Sequence, residues 1–202
     1  MSELLIAAPL RLEAAMIRGG LRRAARAEQP GGAPARVQQT GMGPARSRAA
    51  VAALVADPAS RLLVMGFGGG LDELGEVGDA VVADAVIGPG EERVECAAAD
   101  ELAAALLKGG MTVRRGVVAS VEHIAMGAAR TRLQERGAAA VDMESVWLAA
   151  AAAQRPFAVV RVISDTPGRE LTRPLATVAG FARASAGLRR AAGCLPAWAS
   201  SD

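Results

Sequence analysis

The stretch Ala138-Ala139-Ala140-Val141-Asp142-Met143-Glu144-Ser145 reads as a short strand, a turn bearing two acids and the start of a helix. Its counterpart downstream is the apolar run Phe157-Ala158-Val159-Val160-Arg161-Val162-Ile163, which ends on Ser164-Asp165. Together they form one strand–helix–strand unit. Between Ala138 and Asp165 the ionisable residues are only Asp142, Glu144, Arg155, Arg161 and Asp165. A carboxylate among such apolar neighbours is costly unless it is paired, protonated or used. Two acids at the ends of expected strands therefore mark a candidate site.

Outward from this unit the alternation repeats. Strands are expected at Leu4–Ala8, Arg36–Thr40, Leu62–Gly66, Asp79–Ile87, Thr112–Ala119, Ala138–Asp142 and Phe157–Ser164. Helices are expected at Leu10–Ala27, Pro44–Ala56, Asp100–Leu107, Gly127–Arg136, Glu144–Gln154 and Pro174–Ala192. The run from Gln29 to Pro34 reads as a loop, and Phe67-Gly68-Gly69-Gly70 as a tight one. Strands alternating with helices imply a single-domain α/β/α sandwich with a mixed central sheet, spanning residues 1–202. In such folds ligands collect beyond the carboxyl ends of strands.

Composition narrows the function classes. The chain is 51% hydrophobic and 22% charged, with a formal net charge of +2. The cluster Arg18, Arg22, Arg23 and Arg26 reads as a solvated helix face, so no nucleic-acid partner is expected. Cys96 and Cys194 are far apart and lack CxxC spacing, consistent with reduced thiols in a cytoplasmic protein. One histidine and two isolated cysteines make a metal site improbable. The start of the chain lacks the basic lead of a signal peptide, and no uncharged stretch is long enough to span a bilayer.

The motif Val141-Asp142-Met143-Glu144-Ser145, an Ala-rich helix and a strand ending Ile163-Ser164-Asp165 resemble the purine nucleoside phosphorylase and nucleosidase superfamily. Thr40-Gly41-Met42-Gly43 is similar to that family's glycine turn, and Gly66-Phe67-Gly68-Gly69-Gly70-Leu71 to its central glycine-rich segment. The resemblance covers roughly residues 3 to 190. Within it, Ala-Val-Asp-Met-Glu-Ser and Arg-Val-Ile-Ser-Asp are most similar to the hopanoid-associated phosphorylases, which lack a serine in the central glycine segment. Methylthioadenosine/S-adenosylhomocysteine nucleosidases share the acid pair but usually have serine where Phe67 stands, and futalosine hydrolases usually show Met-Glu-Gly and Ser-Asn.

The resemblance implies cleavage of the N-ribosyl bond of a purine nucleoside, with adenosylhopane as the subgroup's substrate. It implies that Asp165 acts as the acid at the purine N7, oriented by Ser164. Glu144 would grip ribose hydroxyls, Met143 would lie on the sugar face, and Glu13 would position the nucleophile. Gly69 and His123 would adjoin the substrate, His123 from the expected base-binding loop Ser120–Ile124. Glycine turns can hold an anion on backbone N–H groups, so Gly41 and Gly43, with Arg46 beside them, are candidate phosphate contacts. Phosphate or water as nucleophile stays open, and phosphate would enter only as co-substrate, with no metal or organic cofactor. The family usually forms dimers or larger rings.

Each residue also has a plainer reading. Glu144 suits an early helical turn, Asp165 a strand-ending turn, Glu13 a helix surface and Met143 the core. Asp142 points away from Glu144 and reads as structural. A non-catalytic binding module on the same fold is the rival from another class. A dinucleotide-binding fold is disfavoured, since no GxGxxG follows the first strand.

Overall fold

The computed structural model describes residues 3–27, 34–72, 75–167 and 174–199, with residues 174–177 described through their backbone alone. The expected loop from Gln29 lies outside these residues up to Ala33, as does Gly168 of the turn after Asp165.

The elements run β1 (Leu4–Ala8), α1 (Arg11–Arg26), β2 (Ala35–Gln39), α2 (Pro44–Val55), β3 (Arg61–Gly70), β4 (Ala80–Ile87), β5 (Arg93–Glu95), α3 (Ala99–Lys108), β6 (Val113–Ser120), α4 (Ala128–Glu135), β7 (Ala138–Asp142), α5 (Ser145–Leu148), a 3₁₀ turn (Ala149–Ala151), β8 (Phe157–Asp165) and α6 (Pro174–Ala199). The central strands are continuous apolar runs because both faces are covered. All five residues of β1 are buried, as are eight of the nine in β8. Pro44 opens α2 at a position where its missing N–H is harmless, after Gly43 at φ +87°.

The eight strands form one mixed sheet, ordered β2-β1-β3-β7-β6-β4-β5, with β8 paired to both β3 and β4. β8 is parallel to β3 and antiparallel to β4. Following the pairings, β3, β7, β6, β4 and β8 close into a ring. The sheet is thus mixed as expected, and its curling into a ring is a feature that strand propensity does not encode. Helices pack outside it, with α1 against α6 as a principal contact. Most of the core is one aliphatic cluster running from Leu4 in β1 to Trp198 in α6.

Four elements differ from expectation, and one of them, β5 at Arg93–Glu95, has no expected counterpart. Phe67–Gly70 is not a loop but the end of β3. Glycines weaken isolated strands, yet here they let β3 approach neighbouring side chains that any Cβ would strike. The helix expected to reach Gln154 is only Ser145–Leu148 plus the 3₁₀ turn. Ala153 at φ +51° breaks it despite the helix propensity of the alanine run. α6 continues past Ala192 through Pro196, held by the fully buried Leu195, Trp198 and Ala199.

Candidate active site

A cleft of about 290 Å³ opens where β3, β7 and β8 end, beside the start of α1. Glu13, Gly69, Met143, Glu144, Ser164 and Asp165 all line it. Six candidates drawn from four distant parts of the chain are therefore brought together.

Two of them adjoin through a local irregularity. Gly68 pairs with Ile163, but Gly69 pairs with Asp165, so Ser164 is the extra residue of a β-bulge. Alternation alone would send residues 164 and 165 to opposite faces. The bulge re-aims the strand end, and both residues face the cleft.

At one end of the cleft three acids surround one cation. Arg161 is fully buried. Its Nε donates to Asp142 Oδ2 at 2.7 Å, and its Nη2 lies 3.1 Å from Ser145 Oγ and 3.4 Å from Glu144 Oε2. Glu144 Oε1 accepts the Gly43 amide at 3.0 Å. Glu13, 2% exposed, accepts the Leu10 amide on Oε2 and the Phe67 amide on Oε1, each at 2.7 Å. Asp142 Oδ1 accepts the Ser120 hydroxyl at 2.6 Å and the amides of Glu144 and Ser145 at 3.1 and 3.2 Å. Asp142, expected to point away from Glu144, instead shares Arg161 with it and lines the same cleft, and it shapes the turn on which Glu144 sits.

The electrostatics follow from the count of charges. One guanidinium does not neutralise three buried carboxylates. Burial pushes the Glu144 carboxyl up to about 7, opposed by Arg161 and reinforced by Asp142. Burial also raises Glu13, with Arg161 again pulling the other way. Arg161 itself is disfavoured as a cation by burial, yet the surrounding carboxylates raise it overall.

At the other end, Asp165 is 4% exposed. The Ser164 hydroxyl lies 2.8 Å from its Oδ1 and 3.2 Å from the Gly68 carbonyl. Its Oδ2 is ion-paired with Arg130 Nη2 of α4. Arg130 thus supplies Asp165 with a buried counter-charge.

The remaining candidates lie elsewhere. His123 is exposed and does not line the cleft; Val121, Ile124 and Ala125 of the same loop do. The Gly41 amide donates to the Pro9 carbonyl at 3.0 Å, and the Gly43 amide serves Glu144. Arg46 is exposed, its stem covering Gly41. The amides expected to face an anion are therefore already taken by protein acceptors. Among the described residues no group of histidine, cysteine and acid side chains is arranged to hold a metal ion.

Sequence reading missed two arginines. Arg161 carried a signal, being the lone charge inside an apolar strand. Arg130 carried none, since α4 holds Arg132 as well and only the fold distinguishes them. The cleft mouth is apolar, lined by Leu10, Met42, Phe67, Ile124 and Phe181. Phe67 and Phe181 meet as a tilted ring pair with centroids 6.0 Å apart.

The phosphorylase superfamily family model matches residues 13–192. The chain belongs to the phosphorylase superfamily. No curated protein sequence matches it. Its fold is that of solved superfamily structures. One is the 5′-methylthioadenosine/S-adenosylhomocysteine nucleosidase of Colwellia psychrerythraea in complex with adenine, at TM-score 0.76 and 20% identity, covering 98% of this chain and 95% of that one. The Helicobacter pylori nucleosidase with butyl-thio-DADMe-Immucillin-A matches at TM-score 0.77 and 16% identity, covering 98% and 97%. Futalosine hydrolase of Helicobacter pylori matches at TM-score 0.71 and 16% identity, covering 98% and 95%. This superfamily member thus shares with them a mixed α/β fold. No helix among its described residues is long and apolar enough to cross a membrane.

Proposed function

We propose that the protein cleaves the N-ribosyl bond of a purine nucleoside, taking a 5′-substituted adenosine and releasing adenine. The observation that carries this reading is one cleft with acids at both ends: Glu13 and Glu144 at one, Asp165 at the other. Breaking an N-ribosyl bond puts positive charge on the sugar and negative charge on the base. A carboxyl beside the base and carboxylates beneath the sugar answer both needs, and general acid catalysis alone is worth roughly 10²–10⁴ in rate.

In this reading Asp165 delivers a proton to the purine, Glu144 binds ribose hydroxyls and Met143 packs on the sugar face. Glu13, whose affinity for a proton is raised by burial, draws a proton from the attacking water. Water is favoured over phosphate because the Gly41 and Gly43 amides already donate to Pro9 and Glu144. The apolar mouth favours an apolar 5′ substituent; adenosylhopane is the substrate the sequence resemblance implies. The catalytic unit needs no metal or organic cofactor, and a homodimer or larger homo-oligomer in the cytoplasm is its proposed form.

The test is adenine release from adenosine and 5′-butylthioadenosine, with and without phosphate. Release without phosphate, faster with the butylthio group, and slowed at least about 100-fold by Asp165→Asn or Glu144→Gln is the expected result. Binding without turnover would instead favour a non-catalytic module.

A further inference from the structure

We propose that Arg130 is a positioning residue for the departing base: it holds Asp165 through Oδ2, leaves Oδ1 to face the purine, and stabilises the carboxylate that proton transfer leaves behind. This inference rests on the N-ribosyl reading above.

Arg130 belongs to α4, apart in sequence from every acid of the cleft, yet it is 6% exposed and lines the cleft. Its guanidinium is anchored on more than one side. Nε donates to the Ala125 carbonyl at 3.0 Å, Nη1 lies 3.4 Å from the Gly70 carbonyl, and Nη2 pairs with Asp165 Oδ2. The sequence makes room for it. A Cβ on Gly69 would sit 2.6 Å from Nη2 and 3.2 Å from Cζ. A buried arginine given three acceptors and a glycine for clearance is a built arrangement, unlike a surface ion pair.

The two oxygens of Asp165 are thereby made unequal. Oδ2 is engaged by Arg130, so Oδ1, which faces Ser164, is the oxygen left to pass a proton to the base. The Ser164 hydroxyl has a second acceptor in the Gly68 carbonyl. Its hydrogen turns there when Oδ1 is protonated and back to Oδ1 when it is not. As the C1′–N9 bond breaks, its electron pair moves into the purine. The base takes the Oδ1 proton at N7, and water adds to C1′ with loss of a proton to Glu13. Asp165 is left as a carboxylate facing Arg130. The ion pair is stronger after the transfer than before it, which is the condition for lowering a barrier rather than merely binding substrate.

A purine methylated at N7 distinguishes this role from a structural one, since it departs neutral and needs no N7 proton. Turnover of 5′-butylthioadenosine and of its N7-methylated counterpart is measured for the wild type, Arg130→Met, Arg130→Gln and Asp165→Asn. The expected result is a fall of about 100-fold or more on the unmethylated nucleoside in Arg130→Met, with the methylated one changed by less than about fivefold. Asp165→Asn shows the same split. Arg130→Gln, which keeps a donor for the Ala125 carbonyl, replaces the methionine variant if that does not fold. Equal losses on both nucleosides, or no loss on either, overturn the proposal. A wild type that cleaves neither nucleoside refutes the N-ribosyl reading itself, a different failure.

Discussion

At the residue scale, Glu144 and Arg161 make the site a titrating one. The Glu144 carboxyl stands at about 7 in the fold against an ordinary 4.5. The folded protein therefore holds that proton more tightly than the unfolded chain does. The sign follows: this contribution to stability is fully present below about pH 4.5 and is lost as pH rises to about 7, where a buried charge must be carried. The loss is on the order of 3 kcal/mol. Urea denaturation across that window will show the slope in the wild type, and Glu144→Gln will flatten it. Arg161→Met leaves Asp142 and Glu144 without their cation and is expected to cost about 3–5 kcal/mol. Asp142→Asn in the same chain will restore part of that, measured as a double-mutant cycle. The acids themselves were legible in the sequence, because charge in an apolar run needs a reason. What each acid faces was not. Nothing local to Asp165 points to Arg130, and nothing near Gly43 points to a carboxylate 101 positions away.

At the element scale, the chain positions were mostly readable and the exceptions concern contact. β7 is found at Ala138–Asp142, where apolar run and turn agree. β3 outran its expected end because Gly66, Gly68 and Gly69 answer to neighbouring elements rather than to local propensity. A Cβ on Gly66 would lie 2.6 Å from Glu13 Oε1 and 2.8 Å from Arg161 Nη1. Gly66→Ala is therefore expected to displace Glu13 and to lower kcat at least about tenfold, seen in the adenine-release assay. The helix pair α1 and α6 has the same kind of seam. A Cβ at Gly20 would sit 2.2 Å from the Arg189 carbonyl and 2.8 Å from Ala192 Cβ. Gly20→Ala is expected to separate the helices at a cost of about 1–3 kcal/mol, read as a lower Tm. Its effect on kcat will be small, since Gly20 does not line the cleft.

At the scale of the whole molecule, the cleft has a polar floor and an apolar entrance, and the two are separable. Phe67 stands in the entrance wall against Phe181, while its backbone amide holds Glu13 below. Phe67→Ser keeps that amide and removes the ring. It is expected to reduce the preference for 5′-butylthioadenosine over adenosine by about tenfold in kcat/KM, leaving adenosine turnover little changed. Alternating elements implied an α/β core from the sequence, but closure of the sheet depends on pairings between strands far apart in the chain. That closure is made by β8, which fills the gap between β3 and β4 and brings Arg161 and Asp165 with it. A nascent chain leaving the ribosome thus carries β3 and β4 with open edges until residue 165 has emerged, a span in which unpaired strands invite mispairing. The cleft is incomplete until the same moment, so an interrupted translation product lacking that strand has neither a sealed sheet nor the Arg161 and Asp165 that the strand carries.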